Sequence, residues 1–164
     1  MGLDMYLTKK TFIGANYDHR DVRGKIDITI KDSPVNINFN RVSYISESVG
    51  YWRNANQIHN WFVYNVQNGE DDCRDYMVSR QDFENLLESV NTVLNSKGTP
   101  EESSVVQDNL PPSEGFFFGS TAIDQWYWED LENTRQIVSD VLSEMDEDGK
   151  NPDSWVDYYY ASSW

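Results

Sequence analysis

The sequence predicts an α+β fold: an antiparallel sheet of about five strands packed against three helices, in a single domain spanning residues 1–164. Two observations carry this. Apolar residues alternate with period two near 3–13, 25–31 and 35–40, and they recur at steps of three and four near 51–67, 80–97 and 121–145. The strands also do not alternate one-for-one with helices, which argues against a parallel, doubly wound sheet.

Along the chain, Leu3, Met5, Leu7 and Phe12 define one face of a first strand over 3–13, with a slip near Lys9-Lys10 and with Asp4 and Tyr6 opposite. The polar stretch from Asn16 to Gly24 is a connector. Ile26, Ile28 and Ile30 form the clearest alternation in the chain, over 25–31. Asp32-Ser33-Pro34 turns it, and Val35, Ile37 and Phe39 return it as a hairpin. Residues 41–49 are a strand or a connection. Tyr51 to Gln67 reads as a helix, with Trp52, Ala55, His59, Phe62 and Val66 on one face, Arg53, Asn56 and Asn60 beside it, and Asn68-Gly69 ending it. Ser79 is placed to N-cap a second helix, with Asp82 in its first turn and Phe83, Leu86, Leu87, Val90 and Val93 as the buried stripe. Residues 97–114, rich in Ser, Pro and Glu, read as an exposed loop. Residues 115–118 read as a short strand. Ser120 or Thr121 then caps a third helix that runs through Trp126, Tyr127, Leu131, Val138, Val141, Leu142 and Met145. The aromatic tail 155–160 is the last strand.

Composition narrows the class. With 38% hydrophobic and 25% charged residues, the chain is globular in character. No apolar run is long enough to cross a membrane. The start lacks a secretory core, and Tyr6 stands where a myristoylation signal needs Ser or Thr. The single cysteine, Cys73, leaves no internal disulfide. The expectation is a soluble, cytoplasmic protein. Its net charge is −15, unevenly spread. Residues 1–53 hold eight Lys/Arg against six Asp/Glu, a net +2, while 54–164 hold five against 22, a net −17. Such acidity repels nucleic acid, so a nucleic-acid partner is not expected.

Two stretches carry candidate chemistry. Tyr51, Trp52 and Arg53 offer stacking planes and a bidentate phosphate fork, with Asn56 and His59 one and two turns on. Gly119-Ser120-Thr121, read as a helix start, offers backbone amides to an anion. Both also have ordinary readings, as a core helix and as a plain N-cap. Motifs for catalysis are absent: no nucleophile elbow, phosphate-binding loop or dinucleotide fingerprint occurs. His59 with a carboxylate such as Asp4 is the one acid–base pairing to consider. Cys73 lies among Asp71, Asp72 and Asp75, which disfavours a thiolate. Glu144, Asp146, Asp148 and Gly149 imitate a calcium loop, but Trp155 stands where the bidentate Glu belongs, so no metal is expected.

These segments resemble a family of small phage and bacterial proteins, mostly of unassigned function. Its members share blocks like Met1-Gly-Leu-Asp-Met-Tyr-Leu7, Gly50-Tyr-Trp-Arg-Asn-Ala-Asn-Gln-Ile-His-Asn-Trp-Phe-Val63, Gln67-Asn-Gly-Glu-Asp-Asp-Cys73 and Gly115-Phe-Phe-Phe-Gly-Ser-Thr121. The chain is also similar to phage proteins that sequester cyclic-nucleotide immune signals, the anti-CBASS sponges. That resemblance implies a non-catalytic, cofactor-free homo-oligomer that traps a small anionic ligand such as a cyclic dinucleotide in the host cytoplasm. Its ligand-binding residues are then expected among Tyr51, Trp52, Arg53, Asn56, His59, Gly119, Ser120 and Thr121. The alternatives are an enzyme that acts on a nucleotide-like metabolite through His59, and an acidic DNA mimic that blocks a host nucleic-acid enzyme.

Overall fold

The computed structural model describes residues 2–14, 29–115, 117–151 and 154–164. Its centre is an antiparallel four-stranded sheet of β1 (Asp4–Phe12), β4 (Tyr44–Arg53), β5 (Tyr76–Met77) and β6 (Val156–Ser163), in the order β4-β1-β6-β5. A two-residue ribbon, β2 (Thr29–Ile30) with β3 (Ser33–Pro34), stands apart from it. Four helices complete the fold: α1 (Asn56–Asn65), α2 (Arg80–Ser96), α3 (Glu102–Asn109) and α4 (Gln125–Asp148). The α+β class and the antiparallel sheet are as the sequence predicts.

The alternation in β1 does what period two demands. Leu3, Met5 and Leu7 are wholly buried, while Tyr6 is 41% exposed on the opposite face. Trp52 from β4 and Tyr158 and Tyr160 from β6 join the same inner face, and α2 packs on both α3 and α4 beneath it. Leu7 pairs with Gly50 but Thr8 pairs with Ser48, so a bulge at Val49 re-aims the upper half of β4. Gly50 sits where α4 comes closest. A Cβ there would meet Ile137 Cγ2 at 2.8 Å and Leu7 Cβ at 3.1 Å.

Several elements differ from the sequence reading. Tyr51, Trp52 and Arg53 close β4 and do not open a helix; Met5 pairs with Trp52 and Tyr6 with Tyr51. The helix begins three residues later, after Asn54, whose φ of 59° turns the chain through a corner. Residues 41–49, ambiguous in sequence, supply the rest of that long strand. The returning strand expected at 35–40 is replaced by irregular chain and a 3-10 turn at Phe39–Arg41; Ile37, 46% exposed, has no sheet face to cover. The hairpin turn falls on Lys31-Asp32, both with positive φ, earlier than the Asp32-Ser33-Pro34 turn expected. Most of the strand expected at 25–31 lies outside the described residues.

The expected exposed loop 97–114 contains α3, and both Val106 and Leu110 are fully buried. Burying those two apolar side chains outweighs the polar composition around them. No strand forms at 117–118, because β1, the strand it lies beside, already pairs with β4 and β6. A bond from Leu3 N–H to Phe117 C=O at 3.0 Å ties that segment to the start of β1. The last helix is capped by Asp124 and not by Ser120 or Thr121. By contrast Ser79 and Asp82 form the expected cap of α2, each side chain accepting from the other's backbone N–H.

Candidate functional site

The corner between β4 and α1 builds the site. Asn54 N–H donates to Leu3 C=O at 2.8 Å, and Leu3 N–H donates back to Asn54 Oδ1 at 3.0 Å. This fixes the end of β4 and leaves the Arg53 side chain exposed at the rim. Among the described residues the Arg53 guanidinium has no carboxylate partner.

Two residues on, Asn56 is 1% exposed and acts as a clamp. Its amide donates to Phe118 C=O at 3.0 Å and Ser120 C=O at 2.9 Å, while its Oδ1 accepts from Ser113 N–H at 2.9 Å. The loop is thereby drawn over α1. Gly119 within it has φ +83°, and a Cβ there would meet Asn54 Cβ at 3.0 Å, so both conformation and space call for glycine.

From the other side come the first turns of α4. Asp124 Oδ1 accepts from the amides of Trp126 at 3.0 Å and Tyr127 at 3.2 Å. Tyr127 is buried with its hydroxyl donating to Leu110 C=O at 2.8 Å, whereas Trp126 is 73% exposed. Asp130, half-buried, accepts from the Gln57 side-chain amide at 3.3 Å. Burial pushes its carboxyl up to about 6; Glu129 and Asp124 add to the shift and the Gln57 bond opposes it.

Together these groups line a hollow of about 350 Å³. Arg53 and Asn54 stand on one side, Gly119, Ser120 and Ala122 form the loop wall, and Gln57, Asp124, Trp126, Tyr127 and Asp130 complete it. Chemically it offers a guanidinium with no carboxylate partner among the described residues, an exposed indole and a carboxyl that burial pushes up to about 6. That is the composition of a small-molecule site with a few convergent polar groups.

No family model, curated protein or solved structure matches the chain.

The residues singled out in the sequence therefore distribute unevenly. Arg53, Gly119 and Ser120 line the hollow. Thr121 is exposed outside its lining. Trp52 is a core residue, 2% exposed, its indole N–H donating to Thr134 Oγ1 at 2.9 Å; Trp126 stands in the hollow instead. Tyr51 lies on the outer face of the sheet, where its hydroxyl donates to Asp4 and its ring contacts Tyr6. Asp4 is thus not a partner of His59. The amides at the start of the last helix are not bare, since Asp124 already caps two of them. The loop does not end in a helix start at Gly119-Ser120-Thr121.

His59 is buried away from the hollow. Its Nδ1 lies 2.8 Å from Tyr160 Oη and its Nε2 lies 3.0 Å from Asp71 Oδ2. Burial raises the Tyr160 phenol well above its usual range, with Asp71 adding to the shift, so that hydroxyl stays protonated and shares its hydrogen bond with Nδ1. Nε2–H then donates to Asp71, whose other oxygen accepts from the Trp164 indole at 3.1 Å. The chain of bonds joins α1, β6, the loop at Asp71 and the final residue, and it is a structural tie. The Glu144–Gly149 segment forms the end of α4 and its cap, and among the described residues no group of His, Cys, Asp and Glu is placed to hold a metal ion.

The sequence reading passed over Asp130, Gln57 and Trp126. Trp126 reads in sequence only as one of the apolar residues that the last helix runs through. The stripe that is buried runs Tyr127, Leu131, Thr134, Val138 and Val141, in steps of four and three, and Trp126 falls one residue outside it. Trp128 lies equally far from that stripe on the other side and is buried, so spacing alone does not tell the exposed indole from the buried one.

Proposed function

We propose that this protein is a non-catalytic binding protein that holds a nucleotide-like ligand in the hollow between β4, α1 and α4. The observation that carries the reading is the sharing of one cavity of about 350 Å³ by the exposed Arg53 and the exposed Trp126 ring. Its volume falls within the range of about 300–1,000 Å³ seen for small-molecule sites. An indole face stacks on a base for about 1–3 kcal/mol, and a guanidinium fork on a phosphate adds charge-assisted bonds of about 1.5–3 kcal/mol. The resemblance to phage proteins supplies the setting. The ligand is a cyclic dinucleotide or related immune signal, and the protein sequesters it in the host cytoplasm as a homo-oligomer. Tyr6, Tyr51 and Met77, exposed on the outer face of the sheet, suit contact between copies. Among the described residues no helix is long and apolar enough to cross a membrane.

One observation favours a second reading, turnover of the ligand: the Asp130 carboxyl, pushed up to about 6, is suited to general-base work. Calorimetry with a panel of linear and cyclic nucleotides tests binding, with Arg53→Ala and Trp126→Ala as controls. Each substitution is expected to weaken the best ligand by about tenfold to a hundredfold. Absence of heat with every member of the panel overturns the binding reading. Ligand recovered intact after incubation and denaturation of the protein supports sequestration, and recovery of a converted product supports an enzyme. Light scattering tests the oligomer, and a monomeric mass rules it out.

A further inference from the structure

We propose that the hollow selects guanine over the other bases, with the Asp130 carboxylate reading the Watson–Crick edge. The inference deepens the nucleotide reading and rests on it. Trp126 cannot supply selectivity, because every base presents a π-face to stack on. Selectivity falls to the polar groups inside, and these are mainly acceptors. Asp124 spends Oδ1 on the amides of its own helix. The Gln57 side-chain amide is spent on Asp130 Oδ2 at 3.3 Å, which leaves Gln57 Oε1 as a further acceptor. Asp130, held there by Gln57, keeps Oδ1 and the second lone pair of Oδ2 for a ligand; an ionised carboxylate accepts and cannot donate.

A pair of acceptors on one rigid group calls for two donors side by side. Guanine presents N1–H next to its 2-amino group and meets the carboxylate with two parallel bonds. Adenine and cytosine each place a ring-nitrogen acceptor beside their amino donor, so one contact becomes a repulsion. Uracil flanks its single N–H with two carbonyls. Arg53, which lines the same hollow, is left for the phosphate.

The test is equilibrium binding of the 5′-monophosphates of guanosine, adenosine, cytidine, uridine and xanthosine to the full chain at pH 8, where the Asp130 carboxyl, pushed up to about 6, is ionised. The wild type is expected to prefer the guanosine nucleotide by about tenfold to a hundredfold, the worth of one good bidentate contact. In Asp130→Asn, the new amide donates to the 2-carbonyl of xanthine while its oxygen accepts from N1–H. The preference is therefore expected to pass from guanosine to xanthosine monophosphate. Equal affinity of the wild type for all five overturns the base reading and leaves the nucleotide reading standing. So does a guanosine preference that survives Asp130→Asn. No binding of any of the five, nor of the cyclic panel, removes the nucleotide reading and this inference with it. The wild-type panel needs no variant, so a failure of Asp130→Asn to fold leaves the decisive comparison in place.

Discussion

At the scale of single residues, the site depends on a side chain that never touches its contents. Asn56 makes three hydrogen bonds from a buried position, two as donor and one as acceptor. Replacing it with alanine orphans three backbone groups, and at about 1 kcal/mol each the loss is roughly 3 kcal/mol. Asn56→Asp is expected to be at least as damaging although it keeps the shape, because it turns a carboxylate toward two carbonyl oxygens. Urea midpoints for the two variants check this; an Asp variant as stable as the wild type rules the clamp out. Asp130 gives a pH signature of opposite sign to that of most carboxyls. Its folded pKa is raised to about 6 from an ordinary value near 4, so the folded state holds more protons than the unfolded state between those limits. Stability is therefore lost as pH rises through that window, and the penalty is complete above about 6. Asp130→Asn is expected to raise Tm at pH 8 and to leave it nearly unchanged at pH 4; a variant no more stable than wild type at pH 8 contradicts the assignment. Neither residue was legible in the sequence as it now stands. In sequence Asn56 reads as a ligand group, because amides in a donor-rich stretch bind ligands and loops equally well. Asp130 was one of 28 acidic residues, and nothing in the sequence marks which of them is packed against a helix.

At the scale of elements, what was legible depended on whether local signals and long-range pairing agreed. They agree in α2. Ser79 and Asp82 satisfy each other across the cap, and Phe83, Leu86, Val90 and Val93 are buried as their spacing requires. Ser79→Ala is expected to cost about 1 kcal/mol and to lower Tm by about 2–4 °C. A thermal melt checks this, and an unchanged Tm shows that the Asp82 side of the box suffices. The signals conflict at 51–53. Trp52, Ala55, His59 and Phe62 keep helical spacing through Asn54, yet the first of them is in a strand. Register with β1 decides the matter: Asp4 through Leu7 pair with Gly50 through Arg53, and those partners lie about fifty residues away in sequence. No local pattern reports such pairing. α3 was missed for the opposite reason. Two buried apolar residues, Val106 and Leu110, in a polar, proline-flanked stretch are too few to show a period, and only the surface they meet on the rest of the fold makes them a helix face.

At the scale of the whole molecule, the hollow and its surroundings would pull in opposite directions on the phosphate-bearing ligand proposed for it. Arg53 attracts it at contact distance, but the chain carries a net charge of −15, and Asp124 and Asp130 stand in the same hollow. Distance separates the two effects. The repulsion is the summed field of many carboxylates and acts over the approach, whereas the guanidinium acts only on arrival. The screening length is about 30 Å at 0.01 M salt and about 8 Å at 0.15 M, so added salt removes most of the long-range field while a contact pair is screened much less. Association is therefore expected to speed up with ionic strength, the reverse of proteins that steer phosphates with a positive surface. Stopped-flow binding of a guanosine nucleotide at several salt concentrations measures this directly. The association rate constant should rise by a few-fold between about 0.01 M and 0.15 M, and the dissociation rate should rise less. An association rate that falls with salt indicates a positive local field at the mouth, strong enough to outweigh the rest of the chain. Arg53→Gln separates these cases further. If the guanidinium acts only on arrival, the substitution speeds dissociation and leaves the salt slope of association where it was; if it steers, the slope changes with it.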